Sequence, residues 1–215
     1  ASNHLLELLL RDQHLIDRLR SIKHYFLLDQ GDFYVHFMDA AEEELRKRVK
    51  DISVSKVASL LELSLRTSIA DHDPYKDDLM CRFERLDLCN YLIQINKVAA
   101  SKSNKAFIEI TQGAERRAPS LTGLEAVVLD YKLHWPFSLV VNRKALVKFQ
   151  ILFRHLFHCK NVERRLSGIW MKHQFTKELY NLGPSFSKVY SLRQRMTQFI
   201  QNFEYFMMVE VIEPN

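Results

Sequence analysis

The stretch VLDYKLHWPFSLVV, residues 128–141, decides how the chain is read. Val127, Leu129, Tyr131, Leu133, Trp135, Phe137, Leu139 and Val141 are all apolar. Between them stand Val128, Asp130, Lys132, His134, Pro136, Ser138, Val140 and Asn142, which are mostly polar. A period of two is the signature of a strand with one buried face. Pro136 cannot donate to a ladder, so it demands an edge or a bend. The spacing therefore predicts a bent strand, or two short ones, with Tyr131, Leu133, Trp135 and Phe137 in the core. LMCRFER, residues 79–85, places Leu79, Cys81 and Phe83 on one face and is its natural partner.

Everything around this stretch reads as helix. The chain has 215 residues, of which 47% are hydrophobic, with only 5 Gly and 5 Pro. So few turn-formers fit long helices with few loops, and exclude a turn-rich barrel or sandwich. The fold class is therefore mainly α, with a small β-hairpin or short antiparallel sheet near 79–85 and 125–141.

A first helix is predicted to start at Ser2 and to bury Leu5, Leu8, Leu15, Leu19, Ile22 and Phe26. Gly31 suits the left-handed position that closes such a helix, and Asp32 suits the cap of the next. That second helix presents Phe33, Phe37, Met38, Ala41 and Leu45 inward and is followed by RKRVKD. Ser53 caps a third helix with Val54, Val57, Leu61 and Leu65 inward. DHDPYKDD, residues 71–78, is a loop, because Pro74 and the Asp cluster oppose helix. Asp87 caps a short fourth helix through Leu92 and Ile95. Residues 100–120 are polar and irregular, and read as a surface insertion.

Asn142 caps a long helix running to about residue 174, roughly 50 Å at 1.5 Å per residue. Its apolar stripe is Ala145, Phe149, Leu152, Leu156, Cys159, Leu166 and Trp170. NLGPS ends that region. A last helix over about 187–212 carries Tyr190, Met196, Phe199, Phe203, Phe206 and Met207. A segment so apolar needs neighbours on several sides. With no initiator Met, this reads as part of a longer protein.

Chemistry is harder to find. Three Cys without CxxC spacing argue against a disulfide framework and for a reducing compartment. No apolar run approaches the ~20 residues of a membrane span, so the chain is expected to be soluble. The start lacks the basic region of a signal peptide. His155, His158 and Cys159 share a helix face at metal-ligand spacing, but Cys159 belongs to the apolar stripe and no second ligand cluster exists. DHDPYKDD fails as a calcium loop: position six is Lys76 and position twelve is Arg82. No nucleotide, metalloprotease or hydrolase motif occurs. Neither an enzyme nor a cofactor is indicated.

The formal charge is +5. The long helix carries Arg143, Lys144, Lys148, Arg154, Lys160, Arg164, Arg165 and Lys172 against Glu163 alone. A solvated face, an acidic protein partner or nucleic acid would each account for it. A basic helical nucleic-acid-binding module is the alternative reading.

Three long strings go further. YFLLDQGDFYVHFMDAAEEELRK (25–47), LTGLEAVVLDYKLHWPFSLVVNRKALVKFQILFRHLFHCKNVERRL (121–166) and SLRQRMTQFIQNFEYFMMVEVIEP (191–214) closely resemble the C-terminal domain of the gamma-tubulin complex proteins. The resemblance covers nearly the whole chain; residues 100–120 and TKELYNLGP match least well. It implies an elongated helical bundle, here part of a single C-terminal helical domain over residues 1–215. It also implies a non-enzymatic scaffold that binds gamma-tubulin and templates microtubule nucleation. The implied partners are gamma-tubulin, gamma-tubulin complex component 3 and other family members in the parent complex. The implied location is the cytoplasm and cytoskeleton, at centrosomes, spindle poles or plant cortical nucleation sites.

On that reading two surface regions are candidates for the gamma-tubulin contact. The first is the start of the second helix: Asp29, Gln30, Asp32, Phe33, Tyr34 and Phe37. Its three aromatics cannot all face one stripe, so one is expected to stay outside as an anchor. The second is the following loop: Thr67, Asp71, Asp73, Tyr75, Lys76 and Asp78.

Overall fold

A computed structural model describes residue 7 and residues 14–29, 31–93, 121–180 and 185–214. Gln30, the start expected at Ser2, Ile95, the 100–120 insertion and residues 181–184 of NLGPS lie outside the described residues. The chain divides into two compact units, residues 1–155 and 156–215.

Unit 1 is a set of helices around a two-stranded sheet. Helix α1 spans Leu15–Phe26 and buries Ile22, Tyr25 and Phe26. Leu19 stays largely exposed, against expectation. The left-handed residue after α1 is Leu28, at φ 54°, and Gly31 instead opens the next helix. Helix α2, Gly31–Leu45, buries Phe33, Phe37, Met38, Ala41 and Leu45, as its spacing predicts. It also buries Glu44, which accepts from Lys47 Nζ at 2.8 Å and Lys56 Nζ at 2.9 Å. Helix α3, Val54–Thr67, is capped by Ser53, whose Oγ accepts from the Lys56 amide at 3.4 Å. Val57, Leu61 and Leu65 are buried; Val54 opens the helix and is exposed.

Strand β1 (Leu79–Phe83) pairs antiparallel with β2 (Val127–Tyr131), in the register Leu79 to Tyr131, Cys81 to Leu129 and Phe83 to Val127. The predicted pairing holds, but the strand stops at Tyr131. Residues 132–136 turn at a cis Trp135–Pro136 bond, and Phe137–Leu139 form a 3-10 turn. Tyr131 and Phe137 are core, as expected. Trp135 is 71% exposed, which corrects its assignment to the core.

All five residues of β2 are buried, because both of its faces are covered. Asp130 lies on the face away from Leu129 and Tyr131. It accepts from Arg82 Nη1 and Arg143 Nη1, each at 2.8 Å, and from Gln150 Nε2 at 3.2 Å. This satisfied cluster ties the sheet to the start of the long helix. Helix α4, Gly123–Ala126, precedes β2. Its Gly123 sits so close to α2 that an added Cβ would lie 2.8 Å from the Leu45 carbonyl oxygen.

Helix α5, Arg143–Tyr180, is longer than predicted, about 57 Å at the standard rise. Asn142 caps it as expected, its side chain accepting from the Ala145 amide at 2.8 Å. Leu156, Cys159 and Leu166 of the predicted stripe are buried, but toward the start of the helix the inward residues are Leu146, Gln150 and Phe153, and Trp170 is half-exposed. Arg154 is buried because Nη2 donates to the carbonyls of Leu86 (2.7 Å) and Glu125 (2.8 Å), pinning the segment after β1 and helix α4 to the long helix.

Unit 2 holds the rest of α5 and helix α6, Ser185–Tyr205, which continues as a π-helix over Phe206–Ile212. Lys160 donates to Glu204 at 2.6 Å and to Glu163 at 3.2 Å, and Gln201 donates to Glu163 at 3.2 Å. The Lys160–Glu204 and Gln201–Glu163 bonds join α5 to α6. Phe199 stacks on Phe203, while Phe199, Met196 and Phe206 remain largely exposed.

Candidate functional site

The two regions singled out in the sequence meet. Asp32 Oδ2 accepts from the backbone amide of Ile69 at 3.0 Å, and Asp32 Oδ1 lies 3.2 Å from His36 Nε2. The start of α2 thereby holds the first 3-10 turn of the loop, Ile69–His72. A short turn exposes backbone amides with no helical partner, and a carboxylate is the natural acceptor for one of them.

The rest of the loop is braced against α1. Ser21 Oγ donates to Asp73 Oδ2 at 2.6 Å, and Asp73 Oδ1 accepts from the Tyr75 amide at 2.9 Å. Burial, followed by the charge of Asp73, pushes the Tyr25 phenol far above its ordinary value. Arg18 Nη1 donates to Asp78 Oδ2 at 3.1 Å, and its guanidinium lies 4.3 Å from the centre of the Tyr75 ring. Lys76 pairs with Asp71 and also donates to the Asp71 carbonyl at 2.8 Å; the pair holds the Asp71 carboxyl below its usual range. Thr67 closes α3 by donating to the Leu63 carbonyl at 2.9 Å.

Burial then sorts the candidates. Phe33, Tyr34 and Phe37 are 2%, 6% and 1% exposed. The expected surplus aromatic does not exist. Phe33 packs edge-on against Tyr25 at 5.4 Å and stacks on Phe37 at 6.3 Å, so α1 and α2 together give every ring a place in the core. Asp73 and Asp78 are structural braces. What remains at the surface is Asp29, Thr67, Ile69, Asp71, His72 and Asp77, with Ile69 66% exposed. Arg20 and His24 of α1 face Ile69, His72 and Pro74 across a groove of about 310 Å³.

The turn after β2 adjoins this loop. His134 Nε2 lies 3.2 Å from Asp78 Oδ1, and the Lys132 amide donates to the Asp78 carbonyl at 2.9 Å. That turn carries exposed Trp135, Leu139 and Val140. Sequence reasoning missed this apolar tip because the alternation ran through it unbroken. Pro136 was the available signal: a proline in mid-strand marks a turn at least as well as a bend.

Arg143, Arg154 and Lys160 are engaged in bonds within the chain, while Lys144, Lys148 and Arg165 are exposed. Among the described residues no group of three or more His, Cys, Asp or Glu is placed to hold a metal ion, His155, His158 and Cys159 included. Among them also, no helix is long and apolar enough to cross a membrane.

Comparison with known proteins places this geometry. The family model described as gamma tubulin complex component C-terminal matches residues 15–215. The chain is 46% identical over 215 residues to gamma-tubulin complex component 2 of Mus musculus, covering all of this chain and 23% of that protein. It is 46% identical to gamma-tubulin complex component 2 of Arabidopsis thaliana, covering all of this chain and 30% of the relative. It is 32% identical over 251 residues to the spindle pole body component alp4 of Schizosaccharomyces pombe, covering 99% of this chain and 32% of that protein. The chain thus spans between 23% and 32% of the length of these relatives.

Proposed function

Because the chain belongs to the gamma-tubulin complex component family, we propose that it is the part of a non-enzymatic scaffold that binds gamma-tubulin, within a complex that starts microtubules. The observation that carries this reading is the match of residues 15–215 to the family's C-terminal domain. Its partners in the parent assembly are gamma-tubulin and other components of the family, gamma-tubulin complex component 3 among them. Its place of action is the microtubule-organising centre.

The mechanism is mechanical. Assembling several tubulins in the right spacing costs translational and rotational freedom. A scaffold that holds each one at a fixed distance and tilt meets that cost in advance, so nucleation accelerates. Unit 1 suits such a task. Its loop is fastened at Asp32, Ser21, Arg18 and His134, so little order remains to be imposed when a partner docks.

The contact face comprises the loop around Ile69 and the turn at Trp135, two exposed apolar side chains, with Asp71 and Asp77 exposed on the same loop. An exposed Trp ringed by polar groups is the usual composition of a binding anchor. The face is of mixed charge, with Asp71 and Asp77 on the loop beside Lys76 and with Arg20 and His24 across the groove, so charge reversal on the loop tests its electrostatic fit to gamma-tubulin. The test is capture of gamma-tubulin by the full-length protein and by its Asp71→Lys, Asp77→Lys variant. Capture by the parent and loss in the variant is the expected result. Equal capture by both would reject the placement of the face, and no capture by the parent would reject the function.

A further inference from the structure

Unit 2 contains a recessed site of its own. Trp170, His173 and Gln174 stand at i, i+3 and i+4 on α5, so they share one face of that helix. Tyr190 and Arg193, at i and i+3 on α6, complete the lining of a pocket of about 240 Å³. The His173 and Tyr190 rings meet edge to face with centroids 5.1 Å apart.

Two polar atoms here are unsatisfied. His173 Nδ1 and Arg193 Nε are both buried without a hydrogen-bond partner. A buried donor left without an acceptor costs free energy, so such atoms call for an explanation. Among the described lining residues there is no Asp or Glu to serve as a counter-charge for the guanidinium. The lining thus combines a cation with a fork of donors, a neutral amide and two aromatic walls. Bare phosphate would use the donors and leave the walls idle. A carboxylate on a short apolar stem uses both, since its CH₂ groups pack on the Trp170 and Tyr190 rings.

We infer that this pocket takes an acidic side chain, a Glu or Asp, presented by a segment of a partner protein. Arg193 meets the carboxylate and Gln174 donates to it, while Trp170 covers the stem. The site does not rest on the gamma-tubulin reading, and its test involves no tubulin, so each can fail alone.

The test is a titration of fluorescent hexaglutamate against the full-length protein, with hexaglutamine as the uncharged probe and excess inorganic phosphate as competitor. Loss of one charge-assisted fork predicts about a tenfold or greater loss of affinity for hexaglutamate in Arg193→Ala. Arg195→Ala, an exposed position on the same helix outside the pocket, leaves affinity unchanged. Arg193→Lys, which retains charge and helix propensity, weakens binding by less than the alanine change. Three results would overturn the inference: equal losses in Arg193→Ala and Arg195→Ala, displacement of hexaglutamate by phosphate, or equally tight binding of hexaglutamine. Circular dichroism confirms that each variant is folded. If Arg193→Ala unfolds, the lysine variant decides alone, and undiminished binding by it overturns the proposal.

Discussion

His134 Nε2 and Asp78 Oδ1 lie 3.2 Å apart, and through that contact the turn carrying Trp135 is moored to the loop after α3. Asp78 also accepts from Arg18, so a single carboxylate fixes the turn, the loop and α1 with respect to one another. An exposed tryptophan on a tethered turn contributes little to stability, which separates its mutational signature from that of the core aromatics.

Trp135→Ala is expected to shift Tm by under about 2 °C, because little apolar area leaves the core. Phe33→Ala removes a ring that touches Tyr25 and Phe37 and is expected to cost about 3–5 kcal/mol. Thermal or urea unfolding of the two variants checks the contrast.

Gly123→Ala tests the fit of α4 against α2. Its Cβ would stand 2.5 Å from Ile52 Cδ1, which can swing away, but also 2.8 Å from the Leu45 carbonyl oxygen, which cannot. The backbone must separate, at about 1–3 kcal/mol or more, as in other overpacked sites. A lower urea midpoint with an unchanged slope is the expected observation.

Acid is expected to weaken the fold partly through Glu44. The hydrogen bond from Lys47, then that from Lys56, depresses its pKa to about 2. The folded value lies below the unfolded value of about 4.3, so the native state binds fewer protons. The stabilisation is present above the unfolded pKa and is lost as pH falls toward the folded one. Glu44→Gln should therefore show a smaller drop in Tm than the parent between about pH 5 and about pH 3.

The cysteines should react in two classes. Cys89 is exposed, whereas Cys81 and Cys159 are buried. Burial pushes the Cys81 thiol up to about 11 and raises that of Cys159 as well, so neither supplies thiolate at neutral pH. Of these three, Cys89 is expected to be labelled by a thiol reagent in the native protein, and Cys81 and Cys159 only after denaturation, as read by peptide mapping.

Local patterns made α2, the caps at Ser53 and Asn142, and the pairing of 79–83 with 127–131 legible in the sequence. Each depends on spacing within one segment or on a side chain three residues from its partner. What escaped depends on distant partners. Arg154 was legible only as one of the basic residues of the long helix and Gln150 carried no signal, yet both are buried because the carbonyls of Leu129, Leu86 and Glu125 receive them. The alternation of 127–141 is real, but beyond Tyr131 it is traced by a turn, so the same pattern that buries Phe137 exposes Trp135. At the candidate site, the sequence identified the two regions that Asp32 joins. It misjudged the aromatics, because the place Tyr25 makes for Phe33 is set by a different helix.

The measurement that bears most directly on the account is the Kd of gamma-tubulin for the full-length protein, compared with that for the Ile69→Glu, Trp135→Glu variant. Both side chains are exposed, so the fold should persist, with Tm within about 2 °C of the parent. The account predicts a rise in Kd of about 100-fold, the loss expected when two apolar anchors become charged. An unchanged Kd in a folded variant would contradict it.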